Sequence, residues 1–244
     1  YLFIDQSIGS EGIDGVAGYD VEGLSRSREI GVRIDGQPYY PFASGDQPES
    51  LGFSGSLAAT NGHAGYNLND NDKLAYYGRA NLHWADLARL GGGYFHNDRA
   101  IGQRPDRITG VTRTGWTADL LVDTFGLTVF GSVSSVSDDY TQPEGLPESD
   151  RTRFAYQAQI GYEEPFLGFQ PIYRYAYYDP TSQVEGETKG LNFESDALTY
   201  HTVGLNYNSK TYPLRVMLNY TFTQEQPARE LKNNRFDAAV QLSW

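Results

Sequence analysis

Apolar and polar residues alternate with a period of two along almost the whole chain, in runs about twice as long as an ordinary strand. In NNRFDAAVQLSW, Phe236, Ala238, Val240, Leu242 and Trp244 fall on one face, and Arg235, Asp237, Ala239, Gln241 and Ser243 on the other. Successive strand side chains point to opposite faces, whereas a helix repeats every 3.6 residues. The same alternation runs through KLAYYGRANLHW, where Leu74, Tyr76, Leu82 and Trp84 oppose Lys73, Arg79, Asn81 and His83. In RTGWTADLLVD, Trp116, Ala118, Leu120 and Val122 oppose Arg113, Asp119 and Asp123. RFAYQAQIGY and LRVMLNYTF follow the same rule, with Ile160 and Leu218 on the apolar side. The pattern predicts twelve strands, at about 1–7, 28–37, 50–59, 73–84, 88–96, 112–123, 126–136, 152–162, 168–178, 197–207, 212–224 and 233–244. Most have the length that a tilted strand needs to cross a bilayer, about 9–11 residues, rather than the 5–6 usual in soluble sheets.

The predicted connections alternate in length. ADLA (85–88), DTFG (123–126), EEPFLG (163–168) and NSKTYP (208–213) are short, while 8–27, 60–72, 97–111, 137–152, 179–196 and 224–234 are long. Short turns at one end and long loops at the other are the mark of a transmembrane antiparallel up-and-down β-barrel. The segment 38–50 breaks this alternation and reads as an elaborated turn. A barrel in hydrocarbon leaves no free edge, so the last strand is expected to pair with the first. The aromatic Trp244 resembles the C-terminal signal of outer-membrane barrels, and it fits an interfacial girdle with Trp84, Tyr162 and Tyr212 at the short-turn ends. Composition agrees. Tyrosine occurs 19 times, the mean hydropathy is −0.53, and no apolar run is long enough for a membrane helix. A soluble sandwich or lipocalin-like barrel also alternates, but it turns its apolar face inward. The unbroken pattern makes 1–244 a single domain. The opening YLFIDQS has neither the basic nor the apolar region of a signal peptide. This implies either a signal already removed or a chain that starts partway through a longer protein.

The net charge of −12 disfavours nucleic acid as a partner. The acidity is uneven: the six long connections and 38–50 carry 22 of the 31 acidic residues but 8 of the 19 basic ones. Within the strands Arg33, Lys73, Arg79, Arg113, Arg153, Arg174, Arg215 and Arg235 share one parity, opposite the apolar face. A charge facing lipid at the midplane costs about 2–4 kcal/mol. That parity therefore implies a wet, polar interior lined by arginines, with Asp119 on the same side. Arg33, Arg79 and Arg174 lie nearest mid-strand, and a basic ring there would concentrate anions. Alternatively, the arginines pair with Asp35, Asp119 and Asp237 and only line the wall.

Little else points to chemistry. His63, His83, His96 and His201 lack metal-ligand spacing, and no serine lies beside a lipid-face histidine in the manner of a barrel phospholipase. NLNDNDK (67–73) is rich in carboxylate and amide but lacks the later glycine and bidentate glutamate of an EF-hand. The Gly91–Gly93 run lies in a strand and reads as a bend in a curved wall, not a phosphate loop. With no cysteine, disulfide and thiolate-metal chemistry is excluded. The expectation is no cofactor, no metal site and no enzyme activity.

Five stretches taken in order carry a resemblance. They are SREIGVRIDG (27–36), LGFSGSLAATNG (51–62), NDNDKLAYYGRANLH (69–83), IYRYAYYDP (172–180) and the closing series VGLNYN, LRVMLNYTF and NNRFDAAVQLSW. Over about residues 25–244 the series resembles the phosphate-selective porin O and P family. The resemblance implies a sixteen-stranded porin of the bacterial outer membrane, held in lipid and lipopolysaccharide, assembled as a homotrimer and passing small ions or solutes, phosphate among them. If the chain is the C-terminal part of such a barrel, the resemblance implies that the first four strands are missing and that 8–27 is the third extracellular loop, folded inward; a natural twelve-stranded relative is equally compatible with the sequence. In this chain that loop carries Glu11, Asp14, Asp20 and Glu22 with only Arg26, which argues against strong phosphate selectivity. The expected activity is passive diffusion of small hydrophilic solutes with a weak anion preference. The pore would be lined by Arg33, Arg79, Asp119, Arg174, Arg113, Arg153, Arg215 and Arg235. The alternative is a structural or partner-binding barrel with little conductance.

Overall fold

The computed structural model describes residues 31–41, 51–61, 73–101, 109–141, 150–184, 197–225 and 234–242. They form eleven strands: β1 (Gly31–Tyr39), β2 (Leu51–Thr60), β3 (Ala75–Trp84), β4 (Ala88–Ile101), β5 (Thr109–Thr124), β6 (Leu127–Thr141), β7 (Arg151–Tyr162), β8 (Phe169–Val184), β9 (Leu198–Asn208), β10 (Leu214–Glu225) and β11 (Arg235–Leu242). All lie in one antiparallel sheet, each paired with its neighbours in sequence order. Eleven of the twelve predicted strands are therefore present. The twelfth, 1–7, lies outside the described residues, as do 8–27 and Trp244.

Several strands run beyond the bilayer-length segments. β4, β5, β6 and β8 have 14, 16, 15 and 16 residues, because backbone pairing continues where the apolar alternation stops. Asn97 faces Arg113, Asp98 faces Thr112 and Ile101 faces Thr109 within stretches expected to be loop. Asp138 likewise sits in β6, opposite Arg113 and Arg151.

The short turns gather at one end. Phe125 and Gly126 both have positive φ (48° and 79°), as a two-residue type I′ turn requires. Neighbouring turns hydrogen-bond to one another: Asp123 N donates to Leu87 O, Glu163 N to Gly126 O and Asn208 N to Gly168 O. In β1 a register shift between Gly36 and Tyr39 marks a bulge where the expected strand end was placed.

Pairing of the last strand with the expected first one, 1–7, falls on residues outside those described. Among the described residues the sheet is open, and β11 does not pair with β1. Strand parity gives the reason. Eleven strands in strict up-and-down order leave the first and last pointing the same way, so those two cannot close the sheet as an antiparallel pair.

Burial is inverted relative to a soluble sheet. Val32, Ile34, Leu57, Trp116, Leu120, Ile160, Leu218 and Val240 share the apolar face and are all exposed. Arg113, Asp119, Asp138, Arg153, Gln157, Arg174, Asn206 and Asn219 share the opposite face and are buried. A flat sheet would expose both faces alike, so the sheet curls about its polar side.

Candidate functional site

Among the described residues the polar face gathers the candidate functional groups, and register explains how. Arg33 and Asp35 on β1, Ser54 and Ser56 on β2, and Arg79, Asn81 and His83 on β3 share a side through the β1–β2 and β2–β3 pairings. Arg89 and Gly91 on β4 continue it to Asp119 on β5, then to Ser132 on β6 and Gln157 on β7. Gln159 on β7 faces Arg174 on β8, Arg174 faces Thr202 on β9, and Thr202 faces Thr221 on β10. All eight residues predicted to line this face are on it.

Their environments differ, however. Arg33 is exposed and pairs with Asp35 at 2.7 Å, and Arg235 pairs with Asp237 at 2.7 Å. Each of these pairs joins residues two apart on one edge strand, so both were legible in the sequence. Arg79 crosses β4 to reach Asp119 at 2.5 Å and also donates from Nε to Asn81 Oδ1 at 2.9 Å. Arg89 lies 3.5 Å from the other Asp119 oxygen. Farther along β5, Arg113 grips Asp138 on β6 with two bonds, Nε to Oδ1 at 2.5 Å and Nη2 to Oδ2 at 3.2 Å. Arg153 Nη2 donates to the same Oδ2. This triad is buried, with Asp138 at 0% exposure. Arg174 is also buried and Arg215 is half-buried.

Seven of the eight residues therefore separate into three groups, with half-buried Arg215 intermediate between the last two. Edge pairs (Arg33, Arg235) face solvent. A partly exposed cluster holds Arg79 and Asp119. A buried set holds Arg113, Arg153 and Arg174. The alternative of arginines paired with Asp35, Asp119 and Asp237 describes three of the contacts observed. Asp138 and Arg89 were missed. Arg89 was legible by parity but not singled out, and continuing the parity of 126–136 by two residues would have placed Asp138 on the polar side.

Between the charged groups the face carries hydroxyls and amides. Ser134 Oγ donates to Thr117 Oγ1 at 3.1 Å, Thr202 and Thr221 share a hydrogen bond at 3.0 Å, and Asn206 donates to Gln170 at 2.9 Å. The face thus mixes groups that can attract or repel ions with neutral hydrogen-bonding ones.

No family model, curated protein or solved structure matches the chain.

The remaining expectations fall as follows. His83 is on the polar face, 2.8 Å from Ser54 Oγ, with Tyr40 edge-on to its ring. His201 lies on the apolar side, with Tyr173 Oη 2.8 Å from its Nδ1. His96 is 3.6 Å from Asp98. His63 and all of NLNDNDK except Lys73 lie outside the described residues. Trp84, Tyr162 and Tyr212 are exposed at the turn end, at 67%, 46% and 69%.

Proposed function

We propose that this chain forms a β-barrel of the bacterial outer membrane that lets small hydrophilic solutes and ions diffuse through, with a weak anion preference. The observation that carries this reading is the inverted burial. An exposed apolar face with a buried polar face is unstable in water but suits lipid outside and a polar interior. Strand lengths support it, as do short turns gathered at one end and aromatics at that level. The resemblance to the phosphate-selective porin O and P family supports it independently and adds a homotrimer set in lipid and lipopolysaccharide.

Hydrocarbon leaves no water for an open edge, so such a barrel must close. Closing it antiparallel takes an odd number of strands beyond the eleven. The twelve expected from the alternation would add one, and the sixteen implied by the resemblance would add five; both are odd. Lumen width follows from the total, because about eight strands are filled by side chains whereas sixteen leave a channel.

One observation favours a second reading. Arg113 and Arg153 share the single carboxylate of Asp138 and, like Arg174, are buried rather than solvent-facing. A wall of that kind suits a structural or partner-binding barrel with little conductance.

Planar-bilayer recording of the purified, folded protein separates the two. The porin reading expects stepwise conductance. It also expects Arg33→Glu and Arg79→Glu to move the reversal potential in a salt gradient toward cations. The shift should shrink with salt, as the Debye length falls from about 10 Å at 0.1 M to about 3 Å at 1 M. Absence of stepwise conductance in every oligomeric form would overturn the porin reading.

A further inference from the structure

Gly91 sits between Asn81 on β3 and Asp119 on β5 in the register of the sheet. Strands two apart are separated by about 9–10 Å, so a side chain on the intervening strand normally fills the space between them. Here the space is empty of side chain, and the guanidinium of Arg79 lies in it. That group donates back to Asn81 at 2.9 Å and across to Asp119 at 2.5 Å. A Cβ on Gly91 would land on Arg79 Nη2 and would lie 2.8 Å from both Asn81 Oδ1 and Asp119 Oδ2. Gly92, on the opposite face, makes no such demand: the nearest atom to its Cβ would be Thr117 O at 3.8 Å. The middle of the glycine run is thus free to vary, whereas Gly91 is not.

We infer that Gly91 is a specificity-determining position for the proposed pore. By lacking a side chain it lets Arg79 clamp Asp119 over the bare backbone of β4. This inference rests on the porin reading. The carboxylate is 8% exposed and is held between Arg79 and Arg89, while the side chains of those arginines remain 33% and 38% exposed. The cluster therefore turns its two cations toward solvent and keeps its single anion covered. A side chain at position 91 displaces the tip of Arg79 without changing any charge. Asp119 keeps Arg89, and Arg79 becomes an unpaired cation at the surface. Gly91 acts through Arg79, so it is a positioning residue and not itself a binding group.

The test compares Gly91→Ala, Gly92→Ala and Asp119→Asn with the wild type in planar bilayers at 0.1 M and 1 M potassium chloride. Gly91→Ala is expected to raise the anion-to-cation permeability ratio about twofold or more at 0.1 M. Little change is expected at 1 M, where a lumen charge is screened within about 3 Å. Gly92→Ala should match the wild type. Asp119→Asn should shift selectivity the same way, and adding Gly91→Ala to it should change nothing further, because the pair through which Gly91 acts is already gone.

A conducting Gly91→Ala variant with wild-type selectivity overturns the inference, and so does an additive double variant. A wild type without conductance overturns the porin reading instead. Should Gly91→Ala not assemble, Arg79→Ala/Gly91→Ala is expected to restore assembly by removing the clashing guanidinium. Continued failure of that double variant overturns the inference.

Discussion

Asp138→Asn is the sharpest test of how this sheet holds charge. The side chain keeps its size and loses its charge at a site with no solvent exposure. Bonds from Arg113, at 2.5 and 3.2 Å, and from Arg153 converge on the carboxylate. Removing one partner of a buried ion pair costs about 3–5 kcal/mol, because the remaining charge stays desolvated. Here two guanidiniums, each 4% exposed, lose the same counter-charge, so the upper part of that range is expected. Even the lower end reduces the folded-to-unfolded ratio by more than about a hundredfold. The control is Asp35→Asn. It deletes the same chemistry from the Arg33 pair, whose side chains are 67% and 52% exposed. Solvent screens that pair, and the expected loss is below about 1 kcal/mol. Urea unfolding in detergent micelles, followed by the gel mobility of folded and unfolded chains, measures both variants. The reasoning is refuted if Asp138→Asn loses less than about 1 kcal/mol, or if Asp35→Asn loses as much as Asp138→Asn.

Leu218→Arg should impair assembly in lipid by about 2–4 kcal/mol, while Gln241→Arg, on the exposed polar side of β11, should assemble normally; equal damage in a vesicle-folding assay would show that the faces are misassigned. Phe125→Asn, which builds the favoured Asn-Gly type I′ turn at a residue with φ 48°, should stabilise the fold by about 0.5–1 kcal/mol in the same unfolding assay. The Glu164 carboxylate accepts from the backbone N–H groups of Leu167 and Phe166, and these bonds, Leu167 foremost, hold its pKa below the ordinary 4.5. A lowered folded pKa means the contribution of this turn is complete above about pH 4.5 and fades as pH falls through the folded value. The amide NMR shifts of Phe166 and Leu167 should titrate only in that acid range, and in Glu164→Gln the titration should disappear.

The strand series, the two faces and the positions of the short turns were legible in the sequence because all three are local. A period of two assigns each side chain to a face whatever its partner strand, and Arg33–Asp35 and Arg235–Asp237 lie two apart on one strand. What joins residues far apart in sequence depended on register. Arg79 and Asp119 are forty residues apart and meet only because β3, β4 and β5 align with a glycine between them. The Gly91–Gly93 run looked like a bend, since a strand alone does not show what occupies the gap a missing side chain leaves. Asp138 looked like loop because its apolar alternation had ended, whereas backbone hydrogen bonding pairs strands regardless of side chain and carried β6 on. Burial was the last thing decided in three dimensions. Parity puts Arg33, Arg79 and Arg174 on one face, but the curl of the sheet leaves the first exposed and the last enclosed by its neighbours. The energy of a charge depends on that enclosure, which no single strand contains.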